Sequence, residues 1–153
     1  FKIGLVEILS STRYDDVLTD QYHKDEATEI QLLDEYLKRT NTTTKALESG
    51  LYYIEQQSGK GKQAVKGRMV KVHYTGTYID GSVFDTSLDK SPIQFTLGNG
   101  EVIDGWEEGL LLMKEGGKAR FIIPSKLAYG DKGKNEILPY TTLIFDVELI
   151  SVQ

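Results

Sequence analysis

Apolar and polar residues alternate along two stretches of the chain, and this alternation constrains the fold more than any other feature of the sequence. Side chains of a β-strand point to opposite faces in turn, so a period of two residues indicates strands with one buried face. The sequence therefore predicts half-buried antiparallel strands in the later part of the chain. The alternating apolar positions are Val70, Val72 and Tyr74 in the first stretch and Leu143, Phe145, Val147 and Leu149 in the second.

Glycine-containing turns separate the predicted strands. Asp80-Gly81 lies between two β-rich runs and suits a tight turn that needs positive φ. Gly116-Gly117 marks a second turn, directly ahead of a predicted strand at 118–123. This pattern of short strands separated by glycine turns begins after Gly50.

One short helix is predicted between these turns. Asp104 and Glu107 have the spacing of a capping box, with Asp104 as N-cap, and Trp106, Leu110 and Met113 share one helical face. The expected fold class is α+β, with a twisted antiparallel β-sheet of about five strands wrapped around one short α-helix.

The segment before this region has a helical pattern. Ile30, Leu33 and Leu37 recur at helical spacing within 25–39, which predicts an amphipathic helix. A single helix cannot bury such a seam by itself, so it must dock on the domain, pair with another chain or meet a client. Of these, we favour self-association as a homodimer, or client contact, over docking.

A threonine-rich run at 40–44 favours a linker, because short polar side chains compete for backbone hydrogen bonds. We place the domain boundary there. Residues 1–49 form an acidic N-terminal helical segment with its linker, and residues 50–153 form the main domain.

The charge balance argues against nucleic acid as a partner. The net charge is −5, and the first fifty residues hold 6 basic and 10 acidic side chains, a net −4. No run of 18 apolar residues exists, so no membrane span is expected. The chain begins at Phe1, which fits removal of an export signal, so we expect the bacterial periplasm or cell envelope, with the cytoplasm as the alternative.

Cysteine and histidine usage limits the chemistry further. The chain has no cysteine, which excludes disulfides, a thiolate nucleophile and thiolate metal sites. His23 and His73 stand alone and far apart, so a metal site is not expected and a surface position is the better interpretation of His73. No cofactor is implied.

Three sequence blocks occur in order, and together they resemble the signature of the FKBP-type peptidyl-prolyl cis-trans isomerases over 50–153. The blocks are VHYTG (72–76) with DGSVFD (80–85), VIDGWEEG (102–109), and AYG (128–130) with TLIFDVEL (142–149). The resemblance implies an isomerase that acts on proline-containing polypeptides in protein folding and that binds macrolide inhibitors such as tacrolimus and rapamycin.

The resemblance also implies which residues form the site. Trp106 would be the floor of a pocket and Asp85 would lie at its side, and the backbone N–H of Ile103 and the Tyr129 hydroxyl would contact carbonyls of the ligand. The implied walls are Tyr74, Phe84, Phe95, Val102, Ile103, Tyr129, Ile137 and Phe145. Because every matched position lies in the main domain, residues 1–49 should be dispensable for chemistry on small peptides.

The sequence departs from the family pattern at two places. The chain between Tyr129 and Thr142 is slightly shorter than usual, with Leu138-Pro139 where many members have two prolines, and Ile93 stands where an aromatic residue is frequent. We expect these changes to leave the chemistry in place, whereas substrate preference and affinity for macrolide inhibitors stay open.

Alternative interpretations stand beside these. A lone tryptophan on the inner face of a helix is usually core filler, and an aspartate at a strand end, here Asp85, is usually a turn or cap residue. Two other functions remain open: a binding module that keeps the pocket without turnover, and an assembly protein whose important part is the N-terminal helix.

Overall fold

The computed structural model describes residues 25–134 and 137–153, and it confirms the predicted α+β fold. The sheet has the strand order β1-β5-β6-β2-β3, and β4 also pairs with β2. All of these strand pairs are antiparallel. The elements in chain order are α1 (Glu26–Arg39), β1 (Tyr52–Gln57), β2 (Met69–Thr77), β3 (Val83–Thr86), β4 (Ile93–Thr96), α2 (Asp104–Leu110), β5 (Lys118–Ile123), a 3-10 turn (Ser125–Leu127) and β6 (Leu143–Val152).

The alternation has the predicted consequence in β2, where Val70 and Val72 are buried. On β6, the longest strand of the sheet, Phe145 and Val147 are buried as predicted, but Ile144 on the opposite face is buried too, so β6 does not have only one buried face. Gly81 adopts φ +92° in the turn between β2 and β3, as a tight turn there requires. Within the described ranges, no helix is long and apolar enough to cross a membrane.

Helix α2 lies unusually close to the sheet because two of its residues have no side chain. A Cβ on Gly105 would lie 2.6 Å from Ile123, and one on Gly109 would lie 2.7 Å from the Phe121 ring. These two glycines are one helical turn apart, so they form one face against β5. The close approach buries Trp106, with 4% exposure, between the helix and the sheet.

The predicted capping box of α2 is wrong. The N-cap is Ile103, which makes no side-chain cap, and Asp104 is already the first helical residue. The Glu107 carboxylate points instead to the preceding glycine turn, where it accepts hydrogen bonds from the N–H of Gly98 at 2.6 Å and of Gly100 at 3.2 Å. Glu107 therefore fixes the loop that leads into the helix.

Helix α1 docks on the outer face of the sheet, so the preference for self-association or client contact over docking was wrong for its buried face. Leu33 and Tyr36 pack against Ile122 of β5 and Ile144 of β6. The predicted seam was also wrong at Ile30, whose exposure is 58%. Docking occurs because β5 and β6 carry apolar side chains on both faces, and one of those faces needs a cover.

Candidate active site

Five of the predicted aromatic residues form one ring cluster, with Trp106 at its centre. The ring centroids of Trp106 lie 5.1 Å from Tyr74, 5.2 Å from Phe145 and 6.1 Å from Phe95. Phe84 joins the cluster through Phe145, at 5.6 Å. Three of these four pairs are edge-to-face, the geometry that favours the positive ring edge against the negative ring face.

The cluster draws its rings from four strands and one helix. Each strand contributes one ring, and α2 contributes the indole at the centre, which explains why the motifs are dispersed through the sequence. Gly76 of β2 makes the arrangement possible, because a Cβ there would lie 2.7 Å from Phe84 and 2.8 Å from Phe145. The two rings therefore occupy the space above a bare backbone.

The indole N–H of Trp106 is a further unusual feature of the cluster. It is buried, and among the described residues it has no hydrogen-bond acceptor. An unpaired buried donor costs about 1 to 3 kcal/mol, so folded cores rarely retain one.

Asp85 and Tyr74 form a polar edge beside the rings. The Tyr74 hydroxyl donates to the Asp85 carboxylate at 2.6 Å, and Lys90 Nζ lies 4.0 Å from the other carboxylate oxygen. Burial, followed by the hydrogen bond to Asp85, raises the pKa of Tyr74 well above its ordinary value. Burial, followed by the charge of Asp85, also raises the pKa of Tyr129. Both phenols therefore keep their protons, and Tyr129 can act as a donor across the physiological pH range.

These pKa shifts predict a loss of stability at high pH. A tyrosine whose pKa is raised in the folded state stabilises the fold below the unfolded pKa of about 10, and that contribution is lost as pH rises through the folded value. Tyr74→Phe should make the fall in the free energy of unfolding above about pH 10 less steep. The change cannot exceed about 1.4 kcal/mol per pH unit, which is the limit for one titrating proton, and solvent screening of the half-buried Tyr74 narrows the pH range over which it applies.

Urea unfolding of the wild type and of Tyr74→Phe across this alkaline range measures the difference. Identical slopes for the two proteins would contradict the assignment of a shielded phenol at position 74. Tyr52→Phe is a suitable control, because it removes a half-buried tyrosine outside this cluster.

The remaining predicted site residues lie around the cluster at lower burial. Tyr129 is half-buried and follows the 3-10 turn, with Lys134 Nζ 5.6 Å from its ring centroid. Val102, Ile103 and Ile137 are also half-buried and pack against the same core. The carbonyl of Ile103 accepts the first α2 hydrogen bonds, whereas its N–H has no acceptor among residues 25–134 and 137–153.

Two residues near the site differ from the sequence expectation. Tyr78 was missed, although its ring lies 4.9 Å from Phe84 and its exposure is 8%. It has the same phase as Tyr74 in the two-residue period, which was the available signal. His73 is not a plain surface residue, because it is half-buried and its Nδ1 lies 2.8 Å from the Ser87 hydroxyl.

No group of three or more histidine, aspartate or glutamate side chains within the described residues could hold a metal ion. His23 lies outside the described residues.

A family model described as FKBP-type peptidyl-prolyl cis-trans isomerase matches residues 60–150. The chain belongs to this family. The resemblance found in the three sequence blocks is thus confirmed, and the protein is a peptidyl-prolyl cis-trans isomerase of the FKBP type. The family match includes all ten predicted site residues.

Individual relatives show the same relationship. An FK506-binding protein of Neisseria meningitidis serogroup B is 50% identical over 105 residues, which cover 67% of this chain and 96% of the relative. The FKBP-type isomerase FkpA of Aeromonas hydrophila is 46% identical over 110 residues, which cover 71% of this chain but 40% of that protein. Among solved structures, the crystal structure of FkpA from Escherichia coli matches with a TM-score of 0.77 and 38% identity, covering 93% of this FKBP chain and 67% of the other.

Proposed function

We propose that this FKBP-type isomerase accelerates rotation of X-Pro bonds in folding polypeptides at the ring cluster around Trp106. The observation that carries the proposal is the ring cluster itself: three rings from separate strands pack on one buried indole, and Phe84 from a fourth strand joins them through Phe145. In this proposal Tyr74, Phe84, Asp85, Trp106, Tyr129 and Phe145 are catalytic, and Phe95, Val102, Ile103 and Ile137 bind the substrate.

The apolar character of the cluster suits this reaction. A peptide bond resists rotation by about 18 to 20 kcal/mol because resonance places charge on its oxygen. The twisted transition state has lost that resonance and is less dipolar than the planar amide, so an apolar site disfavours the ground state more. A gain of about three to five decades in rate requires about 4 to 7 kcal/mol of such differential binding.

Polar groups at the edge of the site would orient the substrate. The Tyr129 hydroxyl stays protonated, and the Ile103 N–H has no acceptor within the described chain, so both are free to bind substrate carbonyls. Asp85 is held by Tyr74 at 2.6 Å and acts as an orienting hydrogen-bond partner, not as an acid or base. No proton transfer is needed for the rotation.

The test is NMR exchange spectroscopy on a short X-Pro peptide, whose uncatalysed exchange takes tens to hundreds of seconds. Cross-peaks between cis and trans forms should appear with the protein and not in buffer. We also expect a preference for apolar residues before proline, because the apolar Ile93 and Ile137 pack against the same core as the ring cluster. A folded protein that leaves the exchange at its buffer rate would support a binding module without turnover.

A macrolide of the tacrolimus or rapamycin type should bind at the same cluster. Relatives are named FK506-binding proteins, and the pipecolyl ring of these compounds resembles proline. We expect quenching of Trp106, the single tryptophan of the chain, and competition with the peptide. Binding without competition would place the macrolide elsewhere on the surface.

Two earlier expectations stay predictions. Export to the periplasm or cell envelope is one of them. Self-association through α1 is the other, and it would have to use residues such as Ile30, since Leu33 is already covered.

A further inference from the structure

Helix α1 places the carboxylate of Glu29 in the interior of the protein. Glu29 has 4% exposure, and its carboxylate accepts three hydrogen bonds from uncharged donor groups of two residues. One carboxylate oxygen accepts from the Ser125 N–H at 2.7 Å and from the Thr142 hydroxyl at 2.7 Å, and the other accepts from the Ser125 hydroxyl at 2.6 Å. The three hydrogen bonds tie the helix to the main domain, because breaking any one of them would leave a buried polar group unsatisfied.

The two partners of Glu29 stand at opposite ends of one connection. Ser125 follows β5 and begins the 3-10 turn, and Thr142 is the residue directly before β6. The chain between them carries Tyr129 and Ile137. One side chain from outside the main domain thus bridges both ends of the loop that contributes these site residues.

Backbone hydrogen bonds connect Ser125 to the two residues that flank Tyr129. The Ser125 carbonyl accepts hydrogen bonds from the N–H of Ala128 at 2.8 Å and of Gly130 at 2.8 Å, the two neighbours of Tyr129. A shift of Ser125 would therefore move the backbone on both sides of the tyrosine. Thr142 is likewise three residues from Phe145 on the same chain segment.

We propose that Glu29 is a positioning residue for the isomerase site, which holds Ser125 and Thr142 in place and thereby sets the position of Tyr129. The inference rests on the proposed role of Tyr129 in binding substrate carbonyls. It also revises the expectation that residues 1–49 are dispensable for peptide chemistry, because removing them removes Glu29. The N-terminal helix becomes a part of the catalytic fold.

Point variants of the full chain test the proposal. Glu29→Ala should lower kcat/KM for an X-Pro peptide about tenfold and shift the amide resonances of Ser125, Tyr129 and Gly130, since a misplaced site group is costly even without lost contacts. Glu29→Gln should recover most of the rate, because the amide oxygen can still accept and the hydroxyl of Ser125 can turn to accept from the amide.

Leu33→Ala is the matched control on the same helix. It weakens the packing of α1 on Ile122 and Ile144 without touching the connection. It should lower the free energy of unfolding while the rate and the Tyr129 resonance stay unchanged. If Leu33→Ala reduces the rate as much as Glu29→Ala, the helix acts through stability alone and the positioning role is wrong.

Unchanged rate and unchanged Tyr129 resonance in Glu29→Ala would also overturn the proposal. If that variant does not fold, Thr142→Val removes a single donor at nearly constant shape, and it should still shift the Tyr129 resonance and lower the rate about threefold. No shift in a folded Thr142→Val protein would be contrary to the proposal. Failure of the proposed site itself is distinguished by Phe84→Ala, which tests the ring cluster without reference to Glu29.

Discussion

Phe84→Ala is expected to lower kcat/KM for an X-Pro peptide by about a hundredfold, equivalent to about 2.7 kcal/mol of transition-state stabilisation. The ring of Phe84 lies edge-to-face on Phe145, with 5.6 Å between ring centroids, and its centroid is 4.9 Å from that of Tyr78. Removing the ring should therefore open one wall of the cluster and admit water. Truncating a fully buried phenylalanine lowers the free energy of unfolding by about 3 to 5 kcal/mol. Phe84 is only half-buried, so we expect a smaller loss of stability and a folded variant whose activity can be measured.

Tyr129→Phe is the matched control for the loss at Phe84. It removes one hydroxyl and leaves the ring, so it should reduce kcat/KM by only about fivefold, the effect of one hydrogen bond. Exchange spectroscopy with both variants, each checked for folding by circular dichroism, measures the two effects. A folded Phe84→Ala protein with the wild-type rate would show that the site lies away from these rings.

Gly76→Ala is expected to have the second largest effect, lowering kcat/KM about thirtyfold and the free energy of unfolding by about 1 to 3 kcal/mol. The new methyl group would lie within 2.8 Å of both Phe84 and Phe145, so at least one ring must leave its position. Alanine in a strand gains about 0.5 to 1 kcal/mol over glycine, which is too little to offset the overlap.

Gly81→Ala separates ring displacement from general destabilisation. Gly81 has nothing within 4 Å of an added Cβ but adopts φ +92°, so alanine there is strained without touching the site. It should cost about 1 kcal/mol of stability while kcat/KM is unchanged. Urea unfolding and peptide exchange on both variants give the comparison. A Gly76→Ala protein that behaves like Gly81→Ala would contradict the crowding argument.

The sequence carried enough information to predict the sheet and much of the ring cluster, for different reasons. The strands were predictable because their two-residue period is a local signal, visible at Val70 and Val72 without knowledge of the fold. The cluster was predictable only through the family motifs, since a buried Trp106 is by itself ordinary core material. Tyr78 could have been predicted from the same two-residue period, because it lies four residues after Tyr74, but it was missed.

The errors arose where distant groups compete for one side chain. Glu107 had the spacing of a capping partner, but the amides of Gly98 and Gly100 are nearby in three dimensions and take its carboxylate. The contacts of Glu29 join residues that are 96 and 113 positions apart, and no periodic pattern reports such a separation. Helix docking was missed for the same reason.

The cover that α1 provides over Ile122 and Ile144 bears on how the isomerase domain behaves alone. These two residues are paired neighbours on β5 and β6, so a domain cut after the helix would present adjacent β-branched apolar side chains to water. Exposed apolar patches of this kind on a sheet favour slow, concentration-dependent aggregation. Replacing both isoleucines with threonine keeps the preference for a β-strand and adds a hydroxyl group. We expect this double substitution to reduce aggregation of the shortened domain.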